Sequence, residues 1–380
     1  MNSLNATSTS LRRFAARFAL RPQATPPPIG ADFAAHALNL VQAAPREGGY
    51  TLVAAASVAY PMPRADLLAA PAELARFVGA ALASKPFKGR RVISALPPAE
   101  VRILPLTVPV AANQSEGQAV AKAAIEQLGV DAATSVLDYY PIRGADGDSS
   151  GRQVLVAAAH KVRVMAYLTM LESARLEPVA LDIGPAAIAR LLATIHGSDI
   201  GQSTLLLNFG SARSFVTVIW GRRLMLDREI DFGEEQLAAT LAAALDLPQA
   251  TATSLLREHG IGGRSMVSGS DGAHAELRRA IHEVLHPACM ALADELAHTQ
   301  VYVASRTRGS TISRVYLNGS LARYPAIRER IGDLIDVPVH LLDPFDAFGE
   351  RPDRDKRDDD ANGRAIALAA GLALRGATHG

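Results

Sequence analysis

The run His282-Glu283-Val284-Leu285-His286 sets two histidines one helical turn apart with a glutamate between them, the pattern in which a zinc hydrolase holds its metal and its general base. The flanking residues do not complete it. Where the longer zinc-protease pattern continues with Gly and then His, this chain has Cys289 and Leu292, and Glu295 is a third-ligand candidate at an unsuited spacing. Pro287 directly follows the second histidine and is expected to distort the helix that would carry both ligands. The pair therefore reads as surface histidines, and a zinc hydrolase is kept as the third functional reading. Asp182, in Leu-Asp-Ile-Gly, stands where the acceptor-facing carboxylate of a sugar or acetate kinase would be wanted. Ahead of Ile183 and Pro185 it reads instead as a helix-capping residue. No G-x-S-x-G elbow, Walker A loop or dinucleotide fingerprint occurs.

Composition narrows the classes further. The chain has 380 residues, 49% hydrophobic and 20% charged, enough for two or three globular units with a sizeable core. Lys+Arg 39 against Asp+Glu 38 leaves a formal charge of +1, so no global field gathers nucleic acid or anionic lipid. A single cysteine, Cys289, excludes an internal disulfide framework and fits a reducing, cytoplasmic compartment. No apolar run reaches the ~20 residues a membrane-spanning helix needs. Residues 1–28 carry no acid, and Arg12, Arg13, Arg17 and Arg21 interleave with Leu11, Phe14, Phe18 and Leu20 before Pro26 to Pro28. This segment reads as a disordered basic tail, with a membrane-surface or partner-docking helix as the other reading.

The elements that must position any site alternate in type. Strands are expected at Gly30 to Gln42 and Tyr50 to Tyr60, joined as a hairpin, and a helix at Leu67 to Ser84. The strand Arg91 to Leu96 follows, then a helix at Ala112 to Leu128, then strands at Val136 to Pro141 and Val154 to Ala159 around a polar loop, Arg143 to Arg152. Helices are expected at Val162 to Ala174 and Leu181 to Ile195. A second strand series then opens at Ser203 to Leu207 and runs through Phe215 to Trp220 and Leu224 to Ile230. Helical stretches at Thr240 to His259 and His274 to Arg306 flank a Gly/Ser loop, Gly260 to Gly272, and short strands lie at Val315 to Leu317 and Val337 to Leu342. Glu350 to Asp360 is a solvated charged loop, and Arg364 to Leu374 is the last helix. Two starts look alike: ADFAAHALNLVQA and LNFGSARSFVTVI each place a carboxylate or amide before Phe and then lead into an apolar strand, as expected of a duplicated α/β unit.

Several ordered segments together resemble the PilM proteins of type IV pilus assembly, which are similar to the division protein FtsA. They are LDREIDFGEEQL from Leu226, VYLNGSLARYPAI from Val315, VPVHLLDPF from Val337 and AAGLALR from Ala369. DYYPI from Asp138, VLVAAAHKVRV from Val154 and ARLEPVALDIGPAAI from Ala174 add weaker matches. The resemblance implies an α/β, actin-like (ribonuclease H-like) fold. Two duplicated halves, each with an inserted subdomain, would flank a central cleft: residues 29–200 with an insertion at about 99–159, and 201–376 with a helical insertion at about 246–310.

In that family the cleft takes ATP and Mg, held by turns after paired strands. Carried onto this chain, the cofactor-binding positions are Asp32 in the first turn, Asn208, Gly210 and Ser211 in the second, and Gly319 and Ser320 on the adenosine side. The first turn departs from the family's Gly-x-Asp-x-Gly pattern with its hydroxyls and Lys. Gly30 and Asp32 stand, but Ala34, Ala35, His36, Ala37 and Asn39 replace the rest. An alanine held at positive φ there would cost on the order of 1 kcal/mol. Asn208 replaces an Asp and brings no charge to a metal-bound water. The resulting reading is a degenerate pocket with no catalytic residue, in a cytoplasmic scaffold peripheral to the inner membrane. An active ATPase of the same family is the alternative. The implied partners are the cytosolic tail of a PilN-like membrane protein, sought at the insertion Ala99 to Ala159, other pilus or secretion platform proteins, and further copies of the chain.

Overall fold

The structure is a computed structural model. It describes residues 25–109, 115–131, 133–141, 152–196, 202–221, 223–262, 273–307, 309–349 and 365–378. Most of the basic tail and of the Gly/Ser loop, nearly all of the polar loop after Pro141, and the whole of the charged run after Gly349 lie outside them.

Two five-stranded sheets carry the same topology. In the first, β1 (Ile29–Phe33), β2 (Ala37–Arg46) and β3 (Gly49–Ala59) form an antiparallel meander, and β4 (Arg91–Ala95) and β8 (Glu177–Asp182) add parallel to β1, giving the order β3-β2-β1-β4-β8. In the second, β9 (Ser203–Phe209), β10 (Ser214–Trp220) and β11 (Arg223–Ile230) repeat the meander, and β12 (Ile312–Gly319) and β13 (Val339–Leu341) add parallel to β9. Asp32-Phe33 ends β1 and Asn208-Phe209 ends β9, so the two look-alike starts are the same structural position used twice.

Helices α1 (Arg64–Ala69) and α2 (Pro71–Ala83) follow β3. Between β4 and β8 the chain inserts a three-stranded antiparallel sheet in the order β5-β7-β6, from β5 (Val101–Val108), β6 (Ser135–Pro141) and β7 (Arg152–His160). Strict alternation along β7 sends Val154, Val156 and Ala158 into a small core beneath α3 (Glu116–Leu128), while Leu155 turns to the main core. Ser115 and Gln118 form a capping box that starts α3. Helix α4 (Lys161–Ser173) leads to β8, and α5 (Gly184–His196) leads out of it. In the second half, α6 (Glu234–Leu245), α7 (Gln249–His259) and the long α8 (Ala273–Arg306) lie between β11 and β12. The short α9 (Ile327–Gly332) precedes β13, and α10 (Ala367–Thr378) closes the chain.

Helix α10 comes from the second half but packs on the first, against α5, β1 and β2. Its Ala-Ala-Gly-Leu-Ala-Leu run is what permits the approach. A Cβ on Gly371 would meet the Ala187 carbonyl of α5, and one on Gly30 of β1 would meet the Ala369 carbonyl. Gly30 is thus a packing glycine. Beside this seam the Asp182 carboxylate, essentially buried, accepts from Arg190 at 3.0 Å and lies 3.2 Å from Arg375, with Tyr140 Oη at 3.3 Å and the Ile183 N–H at 2.9 Å.

Several expected elements are corrected. Gly30 to Gln42 is two strands folded back at residues 34–36. Leu181 to Ile195 begins as strand, and the helix starts only at Gly184, with Pro185 in the first turn where its missing N–H costs nothing. Asp182 therefore sits at a strand end in an ion-pair cluster rather than acting mainly as a helix cap. Thr240 to His259 is two helices broken after Leu245. Pro287 does not break α8, because Leu285, Cys289, Leu292 and Leu296 bury one face of it through that point.

Candidate functional site

The first turn is held by its own chain. Asp32 accepts from Asn39 Nδ2 at 3.0 Å, and Ser57 donates to Asn39 Oδ1 at 2.8 Å, so a polar ladder crosses β1, β2 and β3 at one register position. Burial pushes the Asp32 carboxyl up to about 6, against the Asn39 hydrogen bond and the nearby Arg64 cation. Tyr60 Oη donates to the Ala34 carbonyl and Arg64 Nε to that of Phe33. None of Ala34, Ala35 and Ala37 takes a positive φ. The strained glycine-like geometry expected there is absent: the turn has adopted a course that alanine tolerates.

The second turn and the end of β12 are brought together. Asn318 Nδ2 donates to Asn208 Oδ1 at 2.9 Å, the Ser320 N–H to the Phe209 carbonyl at 3.0 Å, and Ser320 Oγ to the Gly210 carbonyl at 3.4 Å. Gly319, at φ 92°, lies so close to Phe209 that a Cβ would strike its carbonyl oxygen, and a Cβ on Gly210 would strike that of Arg213. These glycines close backbone on backbone. Ser211 Oγ donates to Glu235 at 2.6 Å, and the neighbouring Glu234 accepts from Tyr324 and Arg257. Burial acts to raise Glu234, but the hydrogen bonds from Tyr324 and Arg257 outweigh it and hold the carboxyl below its usual range. Asn208, Gly210, Ser211, Gly319 and Ser320 thus form one cluster, and Asp32 bonds within the other half.

At this cluster and at Asp32 the polar side chains are bonded within the chain. The Ser211 hydroxyl is bonded to a carboxylate, Glu234 and Glu235 set negative charge at the turn, and the Asp32 carboxyl is bonded to an amide and raised from its ordinary value by burial. The histidine pair lies apart from both turns, on α8. The rings of His282 and His286 are tilted to each other with centroids 5.9 Å apart, burial lowers His282 from its ordinary value, and the described residues hold no group of three metal-ligating side chains. His282 is half-buried beneath Gly262 rather than on the surface.

What the sequence reading missed is a cavity of about 400 Å³ between the inserted sheet and the second five-stranded sheet. Its roof is β5, through Val101, Ile103 and Pro105. Its side wall is the start of α5, through Ile183, Pro185 and Ile188, with Leu368. The floor is the face of the second sheet, where Asn318, Asn208, Phe215 and Glu229 fall in one cross-strand row and Leu206, Thr217 and Asp227 in the next. Thr217 Oγ1 donates to Asp227 at 2.6 Å, and desolvation pushes that carboxyl up to about 6. The signal was an Asp in the apolar strand run Leu224-Met225-Leu226-Asp227, a charge in a place where a sheet buries side chains.

Duplicated five-stranded halves with an inserted subdomain in each define an actin-like fold. The model of the family described as type IV pilus assembly protein PilM matches residues 30–377, and the chain belongs to that family. Among solved structures, a PilM-PilN type IV pilus biogenesis complex aligns with a TM-score of 0.70 at 24% identity, over 92% of this chain and 98% of that one. The ethanolamine utilization protein EutJ from Carboxydothermus hydrogenoformans aligns at 0.49 and 15% identity, over 93% and 91%. MreB5 of Spiroplasma citri bound to ADP aligns at 0.44 and 14%, over 85% and 94%. No curated protein matches the chain by sequence. Among the described residues no helix is long and apolar enough to cross a membrane.

Proposed function

We propose that the chain is a cytoplasmic scaffold, peripheral to the inner membrane, in the assembly platform of a type IV pilus or a related secretion system. It holds the cytosolic tail of a PilN-like membrane protein and binds other platform components, with its two lobes divided near residue 200. Family membership supports the setting, and one solved structure similar to this chain is a PilM-PilN complex. The single observation that carries the reading is the large, mostly apolar cavity under β5, an edge strand of the inserted sheet. An extended peptide can place alternate side chains there and add its backbone to the sheet edge. On this reading the cleft formed by Asp32, Asn208, Gly210, Ser211, Gly319 and Ser320 is a worn nucleotide site that keeps the fold's shape without its phosphate chemistry.

The test is co-purification with a PilN-like single-span membrane protein from the same cells, using the wild-type chain and Ile103→Asp. Ile103 is only half-buried and lines the cavity, so the fold tolerates the change better than the docking does. Capture by the wild type and loss with Ile103→Asp is expected. Capture that survives the substitution overturns the assignment of the cavity, and no capture by the wild type overturns the scaffold reading.

A further inference from the structure

The cavity is not uniformly apolar, and its unmet groups are all of one kind. Asn318 Oδ1 is buried without a hydrogen-bond partner. Asp227, 8% exposed, has the Thr217 hydroxyl as its partner, and no cation pairs with it among the described residues. The other charges nearby are already committed. Glu229 pairs with Arg213, and Arg228 points to the opposite face of the sheet, where it bonds Glu295 and Thr299 of α8. A buried carboxylate left without a counter-charge is expensive to keep, and an orphaned amide oxygen adds to that cost. Both want donors. A phosphate would bring more acceptors and negative charge, so the floor selects against a nucleotide and for a cation with N–H groups.

We infer that the floor of this cavity is a cation subsite, in which Asp227 receives a guanidinium or ammonium side chain of an otherwise apolar partner segment. The apolar roof and wall hold the segment's hydrophobic side chains, and the carboxylate at the β11 end sets where its one basic residue must lie. This rests on the scaffold reading for the identity of the partner. The cation preference itself rests on Asp227, Thr217 and Asn318. Arg suits the place better than Lys, because its fork can serve Asp227 and still offer donors to the rest of the polar floor.

The probe is n-pentylguanidinium, compared with uncharged n-pentylurea, titrated into the full chain by saturation-transfer NMR and calorimetry near neutral pH. The cation is expected to bind at least about tenfold tighter, as a close charge pair in a desolvated site gives. Asp227→Asn keeps the acceptor for Thr217 and should erase the difference. Equal binding of the two probes, no binding of either, or a preference that survives Asp227→Asn overturns the inference. Displacement of the cation by MgATP would show a nucleotide seat and overturn it too. A membrane-protein tail that co-purifies equally with wild type and Asp227→Asn sinks the cation subsite alone. Failure of any tail to co-purify, with the probe contrast intact, sinks only the scaffold reading.

Discussion

Arg375 of the C-terminal helix lies 3.2 Å from the Asp182 carboxylate at the end of β8, so that helix is tied by charge to the edge strand of the first sheet. Arg375 also donates to the Leu181 carbonyl, while Arg190 and Tyr140 approach the same carboxylate. One buried anion thus joins β8, α5, α10 and the inserted sheet. Truncating Arg375 to Ala leaves Asp182 with the Arg190 cation, the Tyr140 hydroxyl and the Ile183 N–H, and should cost about 2 kcal/mol, less than the full removal of a buried ion-pair partner. Urea melts of Arg375→Ala, Asp182→Asn and the double variant measure this. The losses should fall well short of adding, because both break the same cluster.

The small-residue seam between α10 and α5 makes a contrast of two glycines. Gly79 lies in α2 with open space where a Cβ would go, so Gly79→Ala should stabilise the protein by up to about 1 kcal/mol through helix propensity. Gly371→Ala has the same propensity gain but drives its methyl into the Ala187 backbone, and overpacking of roughly 1 to 3 kcal/mol should reverse the sign. Thermal melts of opposite direction for the two variants are the expected result.

Burial raises both Asp32 and Asp227 from 3.8 to about 6. The unfolded chain releases these protons near pH 4 and the folded chain near pH 6, so each group's contribution to stability falls as pH rises through that window. The loss approaches roughly 3 kcal/mol for each group at neutral pH. Asp227→Asn should therefore gain on the wild type between about pH 4.5 and about pH 7.5 in parallel urea melts. A constant gap across that range would contradict the buried, unpaired state of the carboxylate.

The sequence carried the duplicated halves in two short stretches, because the residues before Phe33 and Phe209 end equivalent strands. It did not carry the strand before Gly184, since Glu177 to Ile195 is apolar at both periods and only Pro185 marks where one ends and the other begins. Pro287 misled for a tertiary reason, the burial of Leu285 and Cys289 on either side of it. Of the candidate site, the cluster around Asn208, Gly210, Gly319 and Ser320 was legible by resemblance. The use of Ser211 by Glu235 was not, because partners from a following helix have no fixed spacing. The cavity was illegible for the same reason: its roof and floor come from different halves, and only Asp227 stood out as misplaced charge.

The most direct measurement is calorimetric titration of a PilN-like protein's cytosolic tail, as a peptide, into the full chain with and without MgATP. Saturable binding with the same affinity and enthalpy is expected in both cases. Binding that appears only with MgATP, or a heat of MgATP binding in the micromolar range, would show that the nucleotide cleft is intact and would contradict this expectation.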